Sequence, residues 1–161
     1  MADLRVGLGI DAHAFENGVP LVLGGVRFDY PRGLAGHSDG DVITHALIDA
    51  LLGAAGVGDI GTLFPADEST PVGIDSLELL RDAVTRVRDA GYELVNADCV
   101  LVGQEPRIAD RRPEMEAKLS GIAGGSVSVR ATTTDRLGFA GRSEGLAAQA
   151  VALLVKEGQT P

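Results

Sequence analysis

The sequence predicts a single α/β domain of the α+β kind, a mixed β-sheet with helices layered on one face. Three observations carry that reading. Runs with a two-residue period are interleaved with longer runs of helical period along the chain. The 161 residues suit one core, and no repeat, low-complexity tract or linker divides residues 1–161. Aromatics make up only 4% of a chain that is 45% hydrophobic, so Val, Leu, Ile and Ala must fill that core.

Residues 3–15 alternate, with Val6, Leu8 and Ile10 on one parity and Gly7, Gly9, Asp11 and His13 on the other. This is the pattern of a half-buried strand whose polar positions gather near its C-terminal end. Gly24-Gly25, between Pro20–Leu23 and Val26–Tyr30, marks a hairpin. The approach GLAGHSDGD leads into a helix over about Asp39–Ala55, with Val42, Ala46, Leu47, Ala50 and Leu51 as its buried stripe. VGDIGTLFPADESTP is rich in turn formers and reads as irregular. A helix over about Ser76–Ala90 carries Leu77, Leu80, Val84 and Val87 and stops at Gly91. Tyr92–Val102 reads as a strand and 107–123 as a helix restarted at Pro113. Val127–Thr132 follows as a strand. After the loop TTTDRLGFAGRS, Glu144–Lys156 reads as a final amphipathic helix.

The net charge of −9, from 14 basic and 23 acidic side chains, argues against nucleic acid or an anionic membrane surface as partner. A phosphorylated substrate would then need cations recruited locally, and metal ions are the obvious source. The single cysteine, Cys99, excludes an intrachain disulfide or a thiolate cluster and fits a reducing cytoplasm. The opening MADLRVGLGIDAH lacks the apolar core of a signal peptide. No run approaches the ~18 apolar residues of a membrane span. A cytoplasmic protein is expected.

Asp11 and His13, two apart on a strand, face the same way. His45 lies on a helix with Asp41 and Asp49 one turn to either side, positions from which carboxylates could orient its imidazole. One Asp and two His are the ligand count of a catalytic zinc site with an open fourth position, although D-x-H and a lone helical His also occur as plain surface decoration. In GHSDGD, His37 and Ser38 stand where free backbone N–H groups of a helix start favour anions, and Ser38 or Asp39 fits the role of a plain helix cap equally well. In ATTTDRLGFAGRSEG, hydroxyls and loop N–H groups can hold phosphate oxygens and Asp135 a hard cation; an ordinary turn after a strand has the same composition.

Together GIDAHAF (9–15), LGGVRF (23–28), HSDGDVITHALIDALLGAAGVGDIG (37–61) and ATTTDRLGFAGRSEG (131–145) closely resemble the methylerythritol cyclodiphosphate synthase family in order and spacing. The resemblance implies a homotrimer with active sites between subunits. It implies Zn²⁺ on Asp11, His13 and His45, and a second divalent cation, Mg²⁺ or Mn²⁺, on Asp135. The implied substrate is 4-diphosphocytidyl-2-C-methyl-D-erythritol 2-phosphate, whose 2-phosphate attacks the β-phosphorus, closes an eight-membered ring and expels CMP.

Residue by residue, His37 and Thr133 match the transition-state stabilising pair, and Ser38 joins His37 at the methylerythritol phosphate. Asp59 and Gly61 match positions that hold the ribose, with Ile60, Phe64 and Asp67 beside the substrate. The loop Gly103–Ala109, including Pro106 and Arg107, cradles cytosine with Ala131 and Thr132, and Thr134 and Asp135 face the phosphates. Phe139 and Arg142 match residues facing a central cavity able to hold an isoprenoid diphosphate. Two positions depart from the family's pattern: Ala66 stands where many members have an acidic residue, with Asp67 and Glu68 next to it, and Asp135 stands where many have Glu. A zinc phosphohydrolase and a non-catalytic trimeric module binding isoprenoid diphosphates are the competing readings.

Overall fold

The alternating first segment becomes β1 (Leu4–Asn17), followed by the hairpin β2 (Leu21–Leu23) and β3 (Val26–Phe28) and by β4 (Arg32–Leu34). The computed structural model, which describes residues 1–161, continues with helices α1 (Val42–Ala55), α2 (Ile60–Leu63) and α3 (Ser76–Asp89). Then come β5 (Tyr92–Val102), a 3₁₀ turn at Ala109–Arg111, α4 (Arg112–Ala123), β6 (Ser126–Thr132), α5 (Gly138–Gly141) and β7 (Gly145–Lys156). β4 and the short α2 and α5 were not foreseen from the sequence.

The main sheet runs β4-β1-β7-β5-β6. Its pairs are antiparallel except β5 with β6. α1 crosses β1, β7 and β5, α3 packs on α1, and α4 packs on β6 and α3. The helices thus cover one face of a mixed sheet, as predicted. No helix is long and apolar enough to cross a membrane.

The last element corrects the expectation of a helix at Glu144–Lys156: it is the central strand. Ala favours helices intrinsically, but Leu146, Ala148, Ala150, Ala152 and Leu154 are buried on alternate positions, which is a strand's period. Small side chains there let α1 lie close above the sheet, and burial between two neighbours overrides local propensity.

β1 also turns the opposite way from the simple reading of its alternation. Gly7 and Gly9 face α1, where a Cβ would overlap the carbonyl oxygens of Ala50 and Ala46. Val6, Leu8 and Ile10 point to the uncovered sheet face and are 70%, 60% and 59% exposed in the single chain.

α1 begins later than expected, and its cap is Asp41 rather than Ser38 or Asp39. The fully buried Asp41 carboxylate accepts from the Thr44 amide (3.1 Å) and hydroxyl (2.6 Å) and from the amides of Gly24 (2.8 Å) and Gly25 (2.7 Å). One side chain therefore caps the helix and ties the β2–β3 hairpin to it. Cys99 is buried in the core, and burial pushes its thiol up to about 12.

Gly9→Ala is expected to destabilise the fold by about 3 kcal/mol, the upper end for an overpacked core. Urea unfolding should show a lower midpoint with an unchanged slope.

Candidate metal centre and substrate clefts

Asp11 and His13 leave β1 on the face covered by α1, and α1 sets His45 above them. Asp11 Oδ2 lies 2.8 Å from His13 Nε2 and 3.0 Å from His45 Nδ1, and the two ring nitrogens are 3.3 Å apart. Ligands on a tetrahedral ion with bonds of about 2.0–2.1 Å stand about 3.3 Å apart. The three atoms make one face of such a tetrahedron. The donor set fits a divalent ion of the zinc type, with the cleft supplying room for a fourth ligand.

Charge in the cluster follows the same geometry. Burial pushes the Asp11 carboxyl up, but hydrogen bonds and charge from His13 and His45 outweigh it and hold it well below the usual carboxylate range. The Asp11 carboxylate in turn raises His13 above the ordinary imidazole value, against the effect of burial.

The carboxylates one turn from His45 do not orient it. Asp41 is the helix cap, and Asp49 accepts from the Ile60 amide (2.8 Å), with burial pushing its carboxyl up. His45 Nε2 instead meets two hydroxyls, Ser76 Oγ at 2.9 Å and Ser38 Oγ at 3.0 Å. Ser76 carried no signal in the sequence beyond its place at a helix start.

A cleft of about 240 Å³ opens over the cluster, lined among others by His37, Ser38, Ile60, Gly61, Phe64 and Ala66. His37 Nε2 donates to the Thr70 carbonyl at 2.6 Å and the His37 carbonyl accepts from Gly73 at 2.7 Å, fastening the 64–74 loop to the cleft wall. Asp59 caps α2 by accepting from the Thr62 amide at 2.7 Å, which lowers its carboxyl. Asp67 is turned back on the Ser69 hydroxyl (2.6 Å) and amide (2.8 Å), and these bonds lower it. Ala66 faces the cleft while Asp67 does not line it.

The remaining expected residues lie elsewhere on the chain. Gly103, Pro106, Arg107, Ala131 and Thr132 line a separate polar cleft together with Arg136, which the sequence reading had not singled out. Ala109 opens the 3₁₀ turn beyond it. Thr133 borders both this cleft and a third, where Thr134, Asp135 and Phe139 sit with Ile10 and Leu137. Asp135 (φ 51) and Arg136 (φ 67) take left-handed backbone, a strained turn of the kind found at functional sites. Arg142 is exposed and paired with Glu144 at 3.0 Å.

The family model described as the YgbB family matches residues 4–155. A protein of Alkalilimnicola ehrlichii named 2-C-methyl-D-erythritol 2,4-cyclodiphosphate synthase is 52% identical over 96% of this chain and 97% of its own length. One of the same name from Escherichia coli is 51% identical over 95% and 98%. Among solved structures, the bifunctional IspDF of Campylobacter jejuni superposes with a TM-score of 0.92 at 40% identity, over 97% of this chain; this chain spans 43% of that longer protein. The IspF–CDP complex of Plasmodium falciparum gives 0.83 at 31% identity, over 96% of this chain and 97% of that one.

The fold and the three-ligand cluster are those of a metal-dependent enzyme, and the chain belongs to the YgbB family. The relatives it matches within that family are the 2-C-methyl-D-erythritol 2,4-cyclodiphosphate synthases.

Zinc at a free concentration 100 times its dissociation constant should stabilise the folded chain by about 2.7 kcal/mol. His45→Ala should abolish that increment, read as the difference in thermal unfolding with and without a strong chelator.

Proposed function

We propose that these separate clefts become one active site between neighbouring copies of the chain. The activity is that of 2-C-methyl-D-erythritol 2,4-cyclodiphosphate synthase, a lyase of non-mevalonate isoprenoid biosynthesis. It converts 4-diphosphocytidyl-2-C-methyl-D-erythritol 2-phosphate to the 2,4-cyclodiphosphate and CMP. The single observation that carries the reading is the Asp11, His13 and His45 cluster at the base of a cleft walled by His37 and Ser38.

Two observations support assembly. The metal cleft and the Gly103–Arg107 cleft share no residue, so one chain offers a place for the methylerythritol phosphates and, apart from it, a place for cytidine. The uncovered face carrying Val6, Leu8, Ile10 and Val151 is the kind of apolar surface that partners bury. A homotrimer closing on this face would join the cytidine cleft of one copy to the metal cleft of the next. It would also bring Phe139 and Arg142 toward a shared cavity suited to an isoprenoid diphosphate. The CDP of the Plasmodium falciparum complex supports a nucleotide-linked substrate here. A reducing cytoplasm is the compartment that fits the lone, buried Cys99.

The reacting groups belong to one substrate molecule, so positioning supplies much of the rate. The 2-phosphate oxygen forms a bond to the β-phosphorus as the bond from that phosphorus to the CMP oxygen breaks, and no water is consumed. Zinc on Asp11, His13 and His45 supplies Lewis-acid polarisation of a phosphate oxygen when bound. Asp135 would hold Mg²⁺ or Mn²⁺, which would supply charge neutralisation of the phosphates; a single protein carboxylate suits such an ion. Ser38 and His37 hold the methylerythritol phosphate, and Thr133 donates to oxygens whose charge changes during attack. The Gly103–Ala109 loop with Ala131 and Thr132 holds cytosine, while Ile60, Gly61 and Phe64 line the metal cleft beside the sugar. Asp59 contacts the ribose once Thr62 yields it. Asp67 requires the 64–74 loop to shift before it reaches the polyol.

Phosphorus NMR on the chain with the cytidyl substrate and Mg²⁺ should show equimolar CMP and cyclic diphosphate, lost with a zinc chelator and restored by zinc. Linear phosphates would assign a hydrolase instead. Thr133→Ala should lower kcat by about 10²–10³-fold with zinc content unchanged. Leu8→Asp should give a folded, zinc-binding monomer by sedimentation that forms no cyclic product; an active monomer would sink the intersubunit site.

A further inference from the structure

His45 Nε2 faces two hydroxyls, Ser76 Oγ at 2.9 Å and Ser38 Oγ at 3.0 Å, yet an imidazole nitrogen carries only one hydrogen. The next bond out decides which hydroxyl receives it. Ser76 Oγ makes a short hydrogen bond to Asp39 Oδ1, and Asp39 also accepts from the backbone amides of Ser76 (3.0 Å) and Asp41 (3.1 Å). A carboxylate only accepts, so the Ser76 hydrogen points at Asp39 and its lone pair meets the His45 ring. Ser76 is fully buried at the start of α3, whereas Ser38 is half-buried and lines the cleft.

We infer that Ser76, anchored by Asp39, is the positioning residue of the metal centre: it takes the Nε2 hydrogen of His45, leaves Nδ1 a lone pair for the ion, and frees the Ser38 hydroxyl for substrate. The inference rests on the metal reading above. It makes α3, which contributes no ligand, part of the metal site through one side chain at its first turn. Partners that orient a metal-bound imidazole from outside are worth about 10–100-fold in metal affinity.

The test is zinc affinity, measured by competition with a chromophoric chelator, with the absorption of the cobalt-substituted protein as a second readout. Ser76→Ala should weaken zinc binding about 10–100-fold and alter the cobalt spectrum. Asp39→Asn, which keeps an acceptor but loses its charge, should weaken it less. Asp75→Ala is the control for a merely structural role. It removes the α3 cap, a 2.8 Å bond from the Leu77 amide, and should lower the unfolding temperature of the metal-free chain while leaving zinc affinity unchanged. Ser76→Ala binding zinc as tightly as the parent, or Asp75→Ala losing as much affinity, would overturn the inference and leave the metal reading standing. A parent chain that takes up no zinc would overturn both.

Discussion

Everything at the metal centre depends on how closely α1 approaches β1. Gly7 and Gly9 leave no side chain between strand and helix, so the Ala46 and Ala50 carbonyls rest on strand backbone. Only at that distance does His45, one residue from Ala46, reach within hydrogen-bonding range of Asp11 and His13 on the same strand. Packed interiors tolerate little change in volume, so one methyl group at Gly9 would act on the fold and the ligand geometry together. The same requirement explains the alanines at 148, 150 and 152 on β7, which continue the smooth floor beneath α1.

Around that contact, buried and half-buried polar groups are committed to particular partners. Asp41 is committed to the helix cap and the hairpin amides, Asp49 to the first amide of α2, and Asp39 to Ser76. His37 is held by the 64–74 loop. Asp11 is the carboxylate left free for an ion, and its two histidine neighbours already favour its charged form. In a chain of net charge −9, this limits repulsion of an anion near the cleft: Asp39, Asp41 and Asp49 are turned to backbone amides and hydroxyls, and Asp11 is paired with His13 and His45. The opposite sheet face is organised by different physics. Val6, Leu8 and Ile10 make no use of the helix layer and stay exposed on the uncovered face of the single chain.

Much of this was legible in the residues. The D-x-H pair, the SDGDVITHALID block and the TTTD loop all lie where the sequence placed them, and β5, α3 and α4 agree to within a few residues of expectation. The last element was misread because its alanines favour a helix taken alone; only the presence of β1 and β5 on either side makes it a strand. The orientation of β1 was left open for a related reason. Periodicity separates two faces but does not say which one the helix covers. Asp41 and Asp49 were assigned to His45 by helical spacing, when a hairpin and a turn remote in sequence claim them. Ser76 escaped notice because its partners, His45 and Asp39, are 31 and 37 residues away.

By itself the sequence determined the class of fold, the family and the motifs from which Asp11, His13 and His45 come together, because periodicity and ordered motifs are local properties that survive without coordinates. The tertiary structure decided which face of β1 is covered, that the final segment is the central strand, which groups hold His45, and that the cleft over Asp11, His13 and His45 lies apart from the Gly103–Arg107 cleft in one chain. Each of these depends on which distant segments compete for the same hydrogen bonds and the same buried surface, and that competition exists only once the chain has folded.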